Sequence, residues 1–158
     1  MSFSRIFAVS TIVWVFILTP YSLRAQDTVE GSLETVASLD CNFSLMTIST
    51  WTEGQPTAEV DTANLVMQFV SVNADEGTAE MTERTGGIFD IIVRYSTPYL
   101  HFVQSFRDGP LYTTTVLERE STEGKLLAMH SRHEYTDYRL TGYTSSPEQY
   151  YGECEIVN

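Results

Sequence analysis

The sequence predicts an all-β fold, an antiparallel up-and-down meander of about eight strands that closes, or nearly closes, into a barrel. From residue 41 onward, short runs rich in β-branched and aromatic residues alternate with turn residues. The connections between these runs are short, which is typical of antiparallel hairpins. No amphipathic helix and no glycine-rich nucleotide-binding motif interrupts them. The predicted strands are 41–51, 63–72, 78–85, 88–95, 99–106, 111–118, 125–133 and 149–157.

The positions of the two cysteines favour a closed sheet. Cys41 opens the first predicted strand and Cys154 lies in the last one. In an eight-stranded meander the first and last strands run antiparallel, so they can pair along a seam. Because two cysteines in an exported chain are paired by default, we expect a disulfide between Cys41 and Cys154 across that seam. A β-sandwich with the same bridge between its two sheets is the alternative.

Side-chain alternation along the strands assigns residues to the inside of the barrel. In 99–106, Leu100, Phe102 and Phe106 share one face, and Gln104 is a polar interruption among them. A buried Gln104 amide needs a hydrogen-bond partner, which a ligand, a water molecule or a loop carbonyl could supply. Barrels of this size, lipocalin-like or avidin-like, are either filled by side chains or hold one small ligand. The apolar interior candidates are Leu65, Met67, Phe69, Met81, Phe89, Ile91, Val93, Leu100, Phe102 and Phe106.

The N-terminus has the organisation of a cleaved secretory signal. Arg5 precedes an apolar run from Ile6 to Leu18, which is too short to span a bilayer of about 30 Å, and a polar stretch then ends in Ala25. We therefore expect residues 1–25 to be a signal peptide. Residues 26–40 are expected to form a flexible or partly helical tail, and residues 41–158 a single β domain. The expected location is secreted or periplasmic, with no membrane anchor after cleavage.

The chain is acidic, with 9 Lys and Arg residues against 21 Asp and Glu residues. Removal of residues 1–25 takes away Arg5 and Arg24 and no acidic residue, so the formal charge changes from −12 to −14. Nucleic acids and anionic membranes are bound by clustered Lys and Arg. Neither is therefore an expected partner.

The three histidines, His101, His130 and His133, are the candidate metal ligands. His130 and His133 are three positions apart, which puts them on opposite sides of a strand. A zinc site needs three or four ligands, and His101 shares its strand face with residues expected to point outward. Surface or strand-end histidines are the preferred interpretation, and neither a metal nor a cofactor is expected. No Gly-x-Ser-x-Gly elbow is present, and no catalytic residue is assigned.

A tyrosine-rich segment between the last two strands is the candidate binding loop. Its members are Tyr135, Tyr138, Tyr143, Tyr150 and Tyr151. Tyrosine rings on loops offer flat apolar area with a hydrogen-bonding tip, which suits a binding surface. The alternative is that the loop folds over one mouth of the barrel and the rings only pack there.

The segments "MHSRHEY" (129–135) and "PEQYYGECE" (147–155) resemble uncharacterised small exported bacterial β proteins. Those proteins have a histidine pair in the penultimate strand and a Tyr-x-Gly-x-Cys ending. The resemblance implies a secreted or periplasmic β fold and transfers no activity. The expected function is a non-catalytic binding module for a small molecule or a protein partner. The alternatives are a structural or interaction protein of the cell envelope and a metal-dependent enzyme that uses the three histidines.

Overall fold

The structure is a computed structural model that describes residues 33–83, 86–107, 109–135 and 146–157. These ranges contain eight strands and no helix. The strands are β1 (Leu39–Thr52), β2 (Gln55–Asn73), β3 (Thr78–Glu83), β4 (Ile88–Ser96), β5 (Tyr99–Ser105), β6 (Leu111–Glu120), β7 (Leu126–His133) and β8 (Glu148–Ile156). The predicted signal peptide, residues 1–25, lies outside the described residues.

The eight strands form one closed antiparallel barrel. Each strand pairs with its neighbours along the chain, and β1 also pairs with β8, which closes the sheet. The all-β meander predicted from the sequence is confirmed. The described strands form one continuous sheet and not the two sheets of the sandwich alternative.

The predicted disulfide joins the two ends of the meander. Cys41 on β1 lies directly opposite Cys154 on β8, with 4.0 Å between the Cα atoms and a sequence separation of 113. Closing a loop of that length stabilises the fold by at most about 5 kcal/mol in the chain-entropy model. A disulfide is compatible with an oxidising extracellular or periplasmic location. In the described ranges, no helix is long and apolar enough to cross a membrane.

Side chains fill the inside of the barrel. The rings of Phe69 and Phe102 stack at its centre, with their centroids 4.0 Å apart. The predicted interior residues that are buried are Met67, Phe69, Met81, Ile91, Val93, Leu100 and Phe102. Leu65 and Phe106 are half-buried. The interior assignment of Phe89 is wrong: its side chain is 36% exposed, because it lies at the second position of β4, near the rim.

Residues 33–38 cover the end of the barrel where β1 begins. Leu33 and Val36 belong to the apolar core and are 0% and 5% exposed. The backbone N–H of Leu33 donates to Glu118 Oε1 at 3.3 Å, and the Tyr95 hydroxyl donates to the same oxygen at 3.1 Å. Residues 33–40 therefore depart from the predicted flexible or helical tail, because this segment is a turn and extended chain that leads into β1 at Leu39. Residues 26–32 lie outside the described residues.

The hairpin of β1 and β2 is longer than predicted. Residues 52–61, predicted as a loop, belong mostly to β2, which begins at Gln55. Only Glu53 and Gly54 are needed for the turn, and both have positive φ (52° and 79°), as in the tight turns that match the twist of hairpin strands. Among the described residues β2 pairs with β3 only from Met67, so Pro56 lies on an edge of the sheet, where proline is tolerated.

The closure of β1 onto β8 requires a glycine. Both ladders of β1 shift register between Phe43 and Leu45, which marks a bulge that bends the strand. Gly152 on β8 lies opposite Phe43. A Cβ atom at Gly152 would collide with the backbone carbonyl oxygen of Asn42 and with Cα of Phe43. Glycine therefore permits the close approach of the two backbones at this point.

Candidate functional site

The three candidate metal ligands lie on different sides of the barrel wall. His130 lies inside and is 1% exposed, whereas His133, at the end of β7, is exposed. His101 lies on the outer face of β5, where its Nδ1 is 3.0 Å from Thr115 Oγ1 and its ring stacks on Tyr99. The barrel wall thus separates these side chains. In the part of the chain that the structure describes, no group of three or more His, Cys, Asp or Glu side chains could hold a metal ion.

The interpretation of His130 as a surface or strand-end histidine is wrong. On β7 it alternates with the buried residue Ala128, so its side chain points into the barrel. The rings of Phe43, Tyr112 and Tyr150 surround the imidazole, with centroids 5.9, 6.0 and 5.8 Å from its own. The alternation of Leu and Ala with His130 in the sequence was the signal that could have placed it inside.

Both ring nitrogens of His130 make hydrogen bonds. Nδ1 lies 2.8 Å from Thr114 Oγ1, and Nε2 accepts from Arg132 Nε at 3.3 Å. Burial, followed by the charge of Arg132, lowers the pKa of His130 to about 3. The ring is therefore neutral near pH 7 and carries one proton. Since Nε2 must be the acceptor for Arg132, that proton lies on Nδ1 and is donated to Thr114.

A layer of polar and aromatic side chains surrounds Arg132 at the end of the barrel where β7 ends and β8 begins. The guanidinium carbon of Arg132 lies 5.2 Å from the ring centroid of Tyr112 and 5.3 Å from that of Tyr150. Such cation–π contacts contribute about 0.5–1 kcal/mol each at exposed sites and more when desolvated. The Tyr112 hydroxyl donates to Glu134 Oε2 at 2.7 Å, and the Tyr150 hydroxyl donates to Glu148. These groups hold one another in fixed orientations.

Gln104 lies in the interior next to this layer. Its side chain is 8% exposed, and its Oε1 atom has no hydrogen-bond partner among the described residues. The cavity that it lines has a volume of about 10 Å³. That volume matches one water molecule, whereas pockets for organic ligands measure roughly 300–1,000 Å³. The geometry around Gln104 and His130 therefore gives no access to a substrate-sized molecule.

The tyrosines of the predicted binding loop do not form one surface. Tyr138 and Tyr143 lie outside the described residues. Tyr135 lies two residues after the end of β7 and is 59% exposed. Tyr150 and Tyr151 belong to β8 and point to opposite sides of it, so that Tyr150 is buried and Tyr151 is 39% exposed. Tyr150 and Tyr151 therefore belong to the last strand, in agreement with the predicted strand 149–157, and their grouping with the loop before it does not hold, because β8 begins at Glu148.

A groove of about 800 Å³ lies on the outer surface of the barrel, over the disulfide seam. It follows the bulge of β1 and extends onto neighbouring strands. Its apolar lining residues, which we call its floor, are Leu45, Val66, Leu127 and Tyr151. Its charged lining residues, which we call its rim, are Asp40, Glu123, Lys125, Glu153 and Glu155. We call the surface formed by these nine residues the seam groove.

The rim of the seam groove is mostly negative. Four of its charged residues are acidic and one is basic. Lys125 Nζ lies 2.6 Å from Glu155 Oε1, and this hydrogen bond and the Glu155 charge raise the pKa of Lys125. Sequence reasoning missed the seam groove because its residues come from outward positions of separate strands and from the connection between β6 and β7.

No protein-family model, curated protein or solved structure matches this chain. The resemblance of the C-terminal third to small exported bacterial β proteins stays a prediction. The function must be inferred from the geometry and charge of the barrel itself.

Proposed function

We propose that this chain is an exported, non-catalytic binding module that docks a basic protein partner in the seam groove. The observation that carries the proposal is the difference between the two places where a ligand could bind. The cavity beside Gln104 has about 10 Å³, and the seam groove has about 800 Å³. A barrel filled by side chains can bind only through its surface, and the seam groove is a concave part of that surface.

The composition of the seam groove supports a protein partner. Leu45, Val66 and Tyr151 are 43%, 40% and 39% exposed, although all three are large and apolar. Exposed apolar side chains surrounded by polar residues are typical of protein interaction sites. A partner that covers them removes apolar area from water, at about 25 cal/mol for each Å² buried.

The charge of the seam groove supports a basic partner. Four acidic side chains and one lysine line the seam groove, and the expected charge of −14 for residues 26–158 extends the same field over the molecule. Complementary charge accelerates association and excludes acidic competitors. Export is supported by the signal-like N-terminus and by the Cys41–Cys154 disulfide.

The other expected functions have less support. A small molecule inside the barrel would have to displace buried side chains around a cavity of about 10 Å³. A metal-dependent enzyme would need His101, His130 and His133 on one side of the wall, and they lie on different sides. If the docked partner is a component of the cell envelope, the same docking would make this chain a structural protein of the envelope.

Site-specific photocrosslinking tests this proposal. Benzoylphenylalanine replaces Tyr151, in the seam groove, or Tyr99, an exposed tyrosine on β5 with nearly the same exposure (41%) outside it. Irradiation in the extracytoplasmic fraction of the source cells should give a defined crosslinked protein from position 151 and not from position 99, and high salt should weaken it. Equal crosslinking at both positions, or a small molecule that remains inside the purified protein, would contradict the proposal.

A further inference from the structure

The small cavity beside Gln104 has a chemistry of its own, independent of the seam groove. Its apolar side is formed by Phe69, Met81, Ile91 and Phe102. Its polar side is formed by Gln104, Tyr112, Thr114 and His130. A cavity with polar groups on one side differs from the dry apolar voids that proteins leave empty.

Gln104 brings an unpaired acceptor into this cavity. Its side chain is 8% exposed, and its Oε1 atom is buried without a hydrogen-bond partner among the described residues. Burial of an amide oxygen without a donor is unfavourable, and buried polar atoms are nearly always paired. The cavity is therefore where a donor for Gln104 is needed.

Thr114 brings an unused donor to the same cavity. Because the neutral ring of His130 donates its Nδ1 proton to Thr114 Oγ1, the hydroxyl proton of Thr114 takes no part in that bond. A hydroxyl group has one proton to donate, and the cavity is the space that Thr114 shares with Gln104. One group thus needs a donor and the other needs an acceptor.

We propose that this cavity is a specific binding site for one water molecule. The water accepts a hydrogen bond from the Thr114 hydroxyl and donates one to Gln104 Oε1. Its volume of about 10 Å³ admits one water and excludes larger molecules. The water connects the polar chain of Arg132, His130 and Thr114 to Gln104, which lies on β5 at the level of Tyr112.

The site explains why a glutamine is present among the apolar side chains of β5. Gln104 alternates with Leu100 and Phe102, which pack in the core. With the water bound, both its amide oxygen and the Thr114 hydroxyl are satisfied. A methionine of similar size at position 104 would fill the same space without a need for the water.

NMR measurement of nuclear Overhauser effects between water and the purified protein tests this site. The readout is the nuclear Overhauser effect from water to the methyl protons of Met81 and Ile91, which line the cavity and do not exchange with solvent. In the wild-type protein we expect these cross-peaks with the sign of a long-lived bound water. Gln104→Met and Thr114→Val should lose them, and Gln104→Met should keep a Tm equal to or above that of the wild type.

Gln55→Met, at the exposed tip of the β1–β2 hairpin, is the matched control and should keep the wild-type cross-peaks. Absence of the cross-peaks in the wild-type protein overturns the proposal, even if a variant fails to fold. Their persistence in Gln104→Met shows that Gln104 does not hold the water, and also overturns it.

Discussion

His130 shows how a titratable side chain is held neutral inside the barrel. Phe43, Tyr112 and Tyr150 exclude water from the ring, and Arg132 adds a positive charge next to it. Both effects disfavour the protonated form, so the pKa falls to about 3. At neutral pH the ring connects Arg132 to Thr114 through its two hydrogen bonds.

The depressed pKa of His130 makes stability depend on pH. The pKa in the folded state, about 3, lies below the 6.5 of an ordinary exposed histidine. The unfolded chain therefore binds a proton in this window that the folded chain does not, and the free energy of unfolding falls as pH falls from 6.5 toward 3. In the wild-type protein this effect lowers the free energy of unfolding by roughly 1.4 kcal/mol for each pH unit in this window, and we expect His130→Gln to abolish it. Urea unfolding of both proteins between pH 7 and pH 4 measures the difference.

His133→Gln is the control for this prediction, since it removes an exposed histidine from the same strand. It should keep the wild-type pH dependence. Identical pH dependence in the wild type and His130→Gln would show that the ring is protonated in the folded protein.

At single positions, the sequence predicted which face of the sheet a side chain occupies better than it predicted which groups surround that side chain. Gln104 was placed among inward residues by alternation, and its side chain is buried. The same rule applies to His130, but its polarity favoured the surface assignment. Arg132 lies two positions from His130 on β7, but Thr114 belongs to β6 and is paired with His130 only in the fold.

At the scale of elements, β1 does more than form one strand of the wall. It pairs with β2 and β8, carries one end of the disulfide, and bends at the bulge between Phe43 and Leu45. The seam groove follows that bend. The bulge on β1 and the close approach of the two backbones at Gly152 therefore lie at the same point of the seam.

Gly152→Ala should destabilise the barrel strongly. The new Cβ would meet backbone atoms of Asn42 and Phe43, and backbone cannot move aside without breaking the ladder. We expect a loss of about 3 kcal/mol or more, near the upper end for overpacking. Gly54→Ala is the matched control: it has positive φ but open space around it, so it should cost only about 1 kcal/mol. Thermal unfolding compares the two, and equal losses would contradict the role of Gly152.

Strand number and order were predictable from turn residues, but strand ends and bulges were not. The loop prediction for 52–61 was wrong because Pro56 and Gly54 suggested irregular chain. A two-residue turn at Glu53 and Gly54 needs only positive φ, and an edge strand tolerates proline. The register shift at Phe43 arises from how β1 meets β8, which a single strand's sequence does not encode.

At the scale of the whole molecule, closure determines where a partner can bind. The disulfide closes the seam, and the filled core leaves no interior pocket for an organic ligand in the described part of this acidic barrel. The cysteine positions predicted the closure. The seam groove could not be predicted, because the outward residues of β1, β2, β7 and β8 become one surface only after the sheet curves.

The most direct test of external docking is the affinity of the partner captured at position 151, measured by titration calorimetry. Glu153→Lys reverses a charge on the rim of the seam groove, and Glu59→Lys makes the same change on an exposed part of β2 outside it. We expect Glu153→Lys to weaken binding by about tenfold or more, equivalent to about 1.4 kcal/mol, and Glu59→Lys to have little effect. Equal weakening by both variants, or unchanged affinity with Glu153→Lys, would contradict docking in the seam groove.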